Sequence, residues 1–415
     1  MKKIAVIGSG ISGLTAAYLL SREHQVTLFE SADRLGGHTA TVDIEMNGQQ
    51  YAVDTGFIVF NDWTYPNFIK LLGQLGVDRQ ATEMSFSVQH LATGIEYNGN
   101  SLSTLFAQRR NLLNLRFHWF LYEIVRFNIL SKRALGNAQS VGNDTLATFL
   151  NRNGFSDYFA EHYILPMVAA IWSSSIDDAA RFPFKFFLSF FSNHGLLNII
   201  NRPQWYVVKD GSRSYIPAMI RQVSDVRVGC PVQSIQRSVD NVIIRSCAGS
   251  EQFDDVILAC HSDQALKLLA DANDLEKSIL ADISYRENDV VLHTDRSLLP
   301  QNRKAWASWN FWQGFGRSAP PAVTYNMNIL QGLDAGETFC VTLNRSDAID
   351  EDKVLRRFSY AHPVFDDQSL AAQQRRDEIC GSRHTHFCGA YWYNGFHEDG
   401  VRSALDVCKR FGLAL

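Results

Sequence analysis

The sequence predicts an α/β chain in which a parallel-sheet domain is interleaved with a mixed α+β domain. Three observations predict it. The chain has 415 residues, more than one ordinary domain buries. Its N-terminal stretch alternates an apolar run, a glycine-rich turn, a helical pattern and a second apolar run. Its C-terminal stretch again reads as strand, loop and helix start, while the middle is helical and strongly aromatic.

The first element is the apolar run Ile4-Ala5-Val6-Ile7, read as the first strand. Gly8-Ser9-Gly10-Ile11-Ser12-Gly13 follows it. Gly8 permits a tight turn, Gly10 lets backbone N–H groups approach a pyrophosphate, and Gly13 lets helix and strand pack closely. Ile11 and Ser12 begin a helix that runs on through Leu14–Leu20, and its positive N-terminal end suits a diphosphate. The next strand, Gln25–Phe29, ends on Glu30, whose carboxylate can take both hydroxyls of a ribose and would repel a 2′-phosphate. Strand, glycines, helix, strand and acid in that order specify a Rossmann-type ADP site but leave the dinucleotide open.

Past Glu30, Arg34-Leu35-Gly36-Gly37-His38-Thr39 offers a cation and two residues without Cβ where the chain would run along a diphosphate. Asn47-Gly48, between Thr41–Ile44 and Tyr51–Val53, is a hairpin signal, because Asn-Gly accepts positive φ at both turn positions. Asn98-Gly99 marks a second turn. From about Leu102 to Ile200 the pattern is helical and aromatic, as in an inserted substrate domain. Strand patterns then return at Trp205–Val208, Val232–Ile235, Val242–Ile244 and Asp255–Ala259, read as a meander. The expected division is residues 1–85, 205–265 and 379–415 for the nucleotide domain, with 86–204 and 266–378 for the substrate domain.

Glu30 with Arg34-x-Gly36-Gly37 resembles the extended FAD fingerprint of the flavin amine oxidase superfamily, which includes phytoene desaturases and protoporphyrinogen oxidases. Asp54-Thr55-Gly56-Phe57 is similar to that family's next contact, where the backbone passes the flavin ring. Phe387-Cys388-Gly389-Ala390 and Gly395–Ala404 resemble its C-terminal flavin motif. The resemblance implies FAD, bound without a covalent link. It assigns to the cofactor the glycine turn, Glu30, Ser31, Arg34, Gly36, Gly37, His38, Gly56 and Phe57, the backbone of Val232 at the adenine, and Gly389, Glu398, Asp399 and Val401. Glu398 and Asp399, at a helix N-terminus, would accept from ribityl hydroxyls or cap backbone N–H groups. Lys209–Ser212 resembles the return into the flavin domain, and Ala259-Cys260-His261 its closing strand. Trp392, Tyr393 and Phe396 would line the ring's pocket, with Trp309 and Tyr325 supplied by the second substrate segment.

Departures from the family pattern narrow the chemistry. The family's lysine belongs on a strand aligned with Asn288–His293, which contains none. The thioether-forming cysteine of monoamine oxidases has no counterpart, Cys388 reading as packing, and His38 stands where an arginine is common. The candidates for proton transfer are His261, His293 and His397, each of which also reads as structural. A closer resemblance, carried by residues 34–39, 54–61 and 292–295, is to a bacterial branch of FAD-dependent oxidoreductases similar to the N-terminal region of plant cyclopropane fatty acid synthases. It implies an unsaturated or methylated acyl chain of phospholipid, desaturated by hydride transfer to flavin. Double-bond isomerisation, amine oxidation and a non-catalytic FAD-binding partner of a lipid methyltransferase remain the alternatives.

Residues 109–133 carry Arg109, Arg110, Arg116, Arg126, Lys132 and Arg133 against one acid, Glu123. With Trp119 and Tyr122 this is a basic amphipathic helix suited to an anionic lipid surface. Phe184–Phe191 contains no acid and reads either as substrate surface or as core. A net charge of −4 argues against general nucleic-acid binding. The seven cysteines, odd in number and without a Cys-x-x-Cys pair, read as thiols of a reducing compartment, and no metal site is expected. The first strand begins almost at the initiator and no run of about twenty apolar residues occurs, so the expected location is cytoplasmic, peripheral on the inner face of the membrane.

Overall fold

A computed structural model describes residues 1–136, 144–314 and 316–415; of the helical and aromatic segments expected above, 137–143 and 315 lie outside the described residues. The chain divides into two compact units, one of residues 1–80, 208–285 and 363–415, the other of 81–207 and 286–362.

The first unit is built on a five-stranded parallel sheet in the order Asp225–Arg227, Gln25–Phe29, Lys3–Ile7, Asp255–Leu258, Thr385–Phe387. Ile4, Ala5, Val6, Val256, Ile257 and Leu258 are fully buried, as a sheet covered on both faces requires. This corrects the expected meander. Asp255–Leu258 is a continuous apolar run and joins the parallel sheet, whereas the antiparallel meander consists of Val232–Arg237, Val242–Ser246 and Gly249–Phe253. Those strands alternate buried and exposed residues, and the last escaped notice because Gly249-Ser-Glu-Gln has almost no apolar content. Trp205–Val208 pairs elsewhere.

All four boundaries differ from the expected ones, by a few residues at 80/81 and 207/208 and most at 285/286, in place of 265/266, and 362/363, in place of 378/379. The helices Ser262–Leu268 and Asp274–Ala281 are fastened to the meander by Arg237, whose guanidinium is wholly buried and pairs with Glu276 and, at 2.8 Å, with Asp271. Helix Asp367–Gln374 is tied to the C-terminal motif, Gln373 donating to the carbonyls of Tyr391 (2.8 Å) and Tyr393 (2.6 Å).

The hairpin Thr41–Met46/Gln49–Asp54 turns at Asn47 (φ 53°) and Gly48 (φ 75°), as the dipeptide predicts. Asn98-Gly99 instead ends the strand Ile95–Asn98, and its hairpin with Phe86–His90 turns through Gly94 (φ 63°). The expectation of seven thiols is corrected as well. Cys230 and Cys247 form a disulfide at the open end of the hairpin Val232–Arg237/Val242–Ser246, leaving five free cysteines.

The second unit carries a seven-stranded mixed sheet and a helical insert. In the insert, Leu115–Gly136 packs Phe117, Phe120 and Phe127 inward, all fully buried. Phe184–Asn193 is a helix that buries Phe184, Phe187 and Phe191, so this stretch is core rather than substrate surface. Among the described residues no helix is long and apolar enough to cross a membrane, and no group of side chains could hold a metal ion.

Candidate functional site

The glycine turn has the geometry that its sequence implied. Gly8 has φ 99°, and a Cβ on Gly13 would lie 1.9 Å from the Gly8 carbonyl oxygen, so only glycine lets the first helix (Ile11–Leu20) seat against the strand. A Cβ on Gly10, by contrast, would meet no atom within 4 Å. Gly10 therefore borders open space at the start of a helix whose N-terminus no side chain caps. The amides of Ile11, Ser12 and Gly13 begin a helix whose orphan donors and dipole favour an external anion.

The second motif is clamped onto the first. The Gly36 amide donates to the Ser9 carbonyl (3.1 Å) and to Ser9 Oγ (3.0 Å), and a Cβ on Gly37 would approach the Gly10 Cα to 3.2 Å. Glu30 is buried and holds the same turn. Its Oε2 accepts from the Ser9 amide (2.9 Å) and Ser9 Oγ (2.6 Å), and its Oε1 from the Ala32 amide (2.9 Å) and Ser31 Oγ (3.3 Å). A carboxylate has roughly four acceptor positions, so a ribose hydroxyl would displace the serine hydroxyls. Arg34 is exposed and donates to the carbonyls of Gly37 (2.9 Å) and Thr39 (3.3 Å), which fixes the loop's shape. The Cys230 amide donates to the Glu30 carbonyl (2.9 Å) and the Gly229 amide to that of Ala32 (2.7 Å), which brings the disulfide beside Glu30.

Gly56 and Phe57 meet the paired-glycine loop. The Phe57 amide donates to the His38 carbonyl (2.7 Å), and a Cβ on Gly56 would fall 2.2 Å from that oxygen. Asp54 is buried and accepts from Thr41 Oγ1 (2.6 Å), Ser212 Oγ (2.9 Å) and the Ser212 amide (2.9 Å); burial pushes its carboxyl up to about 6. This carboxylate fastens the returning segment Lys209–Ser212, a role that the motif did not reveal.

At the C-terminal end, the helix His397–Arg410 crosses the first helix so closely that a Cβ on Gly400 would lie 2.6 Å from Ile11 Cγ2. Val401 is fully buried. Of the two uses open to the acids, both serve as caps. Glu398 accepts from the Asn67 amide (3.1 Å), Asn67 Nδ2 (2.6 Å) and the Phe68 amide (2.8 Å), capping the helix Pro66–Leu75. Asp399 accepts from the Phe396 amide (2.9 Å), and burial beside Glu398 pushes its carboxyl up to about 7. The Gly389 amide donates to Ser403 Oγ (2.9 Å), and a Cβ there would strike the Tyr391 ring at 2.2 Å.

The histidine candidates occupy structural positions. His293 accepts at Nδ1 from the Asp295 amide (3.0 Å), which leaves Nε2–H to donate to Thr342 Oγ1 (2.7 Å); burial lowers it to about 4. His397 bonds through Nε2 to Tyr215 Oη (2.7 Å), and Tyr215 in turn bonds to Thr39; burial holds this imidazole far below its ordinary range. His261 stacks on Tyr285 at 4.3 Å, lies 6.3 Å from the His38 ring, and is also lowered by burial.

The aromatic candidates fall into both units. In the second unit Trp309 and Tyr325 are cross-strand partners in edge contact at 4.9 Å. In the first, Trp392 is buried with Tyr391 at 5.0 Å, Tyr393 donates to Asp406 (2.6 Å), and Phe396 is the N-cap of the last helix. Tyr391 Oη and Trp392 Nε1 are buried without a hydrogen-bond partner among the described residues, as is Trp309 Nε1 in the second unit. Buried donors of this kind call for a partner. Within the first unit, Tyr391 Oη and Trp392 Nε1, with the open space at Gly10 and the uncapped helix, fit a diphosphate-bearing cofactor with a polar-edged ring. Thr39, Tyr215, Asn67 and Tyr391 were missed from the sequence, because their partners lie far away along the chain.

The profile described as flavin containing amine oxidoreductase matches residues 11–321. Prenylcysteine oxidase 1 of Homo sapiens is 26% identical over 198 residues, 42% of this chain and 39% of that protein. The chain thus spans about two fifths of the length of that relative. Among solved structures, a CLA-producing fatty acid isomerase from P. acnes superposes with a TM-score of 0.71 at 15% identity, over 99% of this chain and 98% of that one. Cyclohexylamine oxidase from Brevibacterium oxydans IH-35A does so at 0.69 and 16%, over 99% of each.

Proposed function

This chain belongs to the flavin containing amine oxidoreductase family and its cofactor is FAD, and on that premise we propose that it is an oxidoreductase desaturating an apolar acyl chain. The observation that carries the proposal is the strand Tyr285–His293. Where the resemblance places the lysine of amine oxidation, the strand offers Asn288, the buried aliphatics Val290, Val291 and Leu292, and a histidine whose two ring nitrogens are already bonded.

FAD, when bound, would supply the acceptor for both hydrogens that desaturation removes, one as hydride and one as proton. The chain's own part is to hold it and to exclude water. Gly10 and the amides of Ile11 and Ser12 would receive the diphosphate and Glu30 the ribose, while Tyr391 and Trp392 would offer their buried donors. We read the attachment as non-covalent, with the fully buried Cys388 serving as packing. A prenyl group and a fatty acid, named in the relatives, are both apolar chains, and this supports the substrate class.

The isomerase neighbour brings a second reading, a redox-neutral shift of a double bond. Mass spectrometry of acyl lipids incubated with the holoenzyme separates the two. Desaturation lowers the acyl mass by two hydrogens, isomerisation leaves it unchanged, and peroxide formed from amines in place of either would overturn both.

A further inference from the structure

The helix Leu115–Gly136 is apolar on two opposite faces. Phe117, Phe120, Phe127 and Ser131 form the inner face, each fully buried. The opposite face consists of Leu115 (84% exposed), Trp119 (57%), Tyr122 (52%), Val125 (41%) and Ile129 (47%), spaced as one helical stripe. Leu112 and Leu113, on the preceding 3-10 turn Arg109–Leu113, are also exposed, at 47% and 91%. Isolated exposed apolar residues are ordinary, but a continuous stripe with a paired Trp119 and Tyr122, rings 5.0 Å apart, marks a docking surface.

Charge identifies what covers it. Glu123 is the only acid between residues 102 and 136, and it is buried, with its carboxylate accepting from the Ser156 amide (2.8 Å) and Ser156 Oγ (2.5 Å). Arg116 and Arg126 are turned onto the protein, stacking over Tyr158 (4.1 Å) and Phe155 (4.5 Å). Arg109, Lys132 and Arg133 are exposed at the two ends of the stripe. This helix thus shows solvent aliphatic and amphipathic aromatic side chains bracketed by cations, and between residues 102 and 136 no exposed acid; the adjacent helix Asp157–Phe159 contributes the exposed Asp157.

We propose that this face docks the protein on an anionic lipid bilayer, the helix lying in the interface with Trp119 and Tyr122 at headgroup depth. Such helices combine apolar insertion with attraction to anionic lipid. The inference does not rest on the acyl-chain reading, since a surface can recruit the protein whatever it oxidises.

Flotation of the FAD-loaded protein with phosphatidylglycerol-containing vesicles and with pure phosphatidylcholine vesicles tests it. The wild type is expected to float with the anionic vesicles, less so in high salt, and not with the neutral ones. The triple variant Leu115→Ser/Trp119→Ser/Tyr122→Ser is expected to bind at least about tenfold more weakly, with flavin absorbance unchanged and the melting temperature little changed, because each of these side chains is more than half exposed. Arg109→Glu/Lys132→Glu/Arg133→Glu is expected to abolish the salt-sensitive part. Absence of wild-type binding to anionic vesicles, equal binding by the triple variant, or a dimer in light scattering that the triple variant dissolves would each overturn the proposal.

Discussion

His397 lies flat against Phe57, ring centroids 3.5 Å apart and planes 6° apart, with Nε2 2.7 Å from Tyr215 Oη. The stack joins the segment Gly56-Phe57 to the C-terminal helix, and burial keeps its imidazole neutral. A histidine lowered by folding stabilises above its unfolded value of about 6.5 and loses that contribution as pH falls below it. His397→Ala is therefore expected to cost roughly 2–4 kcal/mol at neutral pH in thermal melts, and less in acid. The pH profile of flavin reduction should keep its shape, and loss of one of its limbs would make His397 a proton-transferring group.

Asp399 has the opposite sign. Its carboxyl, raised to about 7 mainly by burial, favours the protonated form, so its contribution to stability is present at low pH and lost as pH rises from the unfolded value through 7. Asn can still accept from the Phe396 amide. Asp399→Asn is expected to match the wild type near pH 4 and to exceed it by about 1–4 kcal/mol at pH 8. Chemical unfolding at both pH values measures this difference, and a variant weaker at the higher pH would contradict it.

Gly10 and Gly13 separate binding from folding. Gly10→Ala adds a methyl to open space at a φ of −62°, which alanine adopts, so the fold should persist while the diphosphate is obstructed. Gly13→Ala drives a methyl against the Gly8 carbonyl and should cost about 1–3 kcal/mol or more. Circular dichroism with flavin absorbance should show a folded, colourless Gly10 variant and a destabilised Gly13 variant.

What the sequence disclosed follows from range. The glycine turn, the Asn47-Gly48 hairpin and the strand at Asp255 are legible because their causes lie within a few residues: positive φ, close packing, an unbroken apolar run. The links Asp54–Ser212, Thr39–Tyr215–His397 and Glu398–Asn67 join positions far apart in the chain, and no local pattern specifies them. The boundary at residue 285 was hidden for the same reason, since it depends on Arg237 reaching Glu276.

The disulfide is another such link. Counting cysteines could not show that Cys230 and Cys247 meet at the open end of one hairpin, beside the Glu30 backbone. A bond across a separation of 17 residues stabilises by about 2–4 kcal/mol, so Cys230→Ser/Cys247→Ser should melt lower and hold FAD more weakly. Cytosolic glutathione opposes such bonds, and the compartment expected from the sequence and this pair therefore pull in opposite directions. Dithiothreitol should reproduce the variant's losses in the wild type, and an unchanged melt would show that the bond is dispensable.

The central claim is that an apolar acyl chain, not an amine, reduces the bound flavin. Anaerobic titration of the holoenzyme, followed by the visible absorbance of its flavin, tests this most directly. The account predicts bleaching by phospholipids with unsaturated or methylated acyl chains and no bleaching by putrescine or cyclohexylamine. Bleaching by the amines, with the lipids inert, would contradict it.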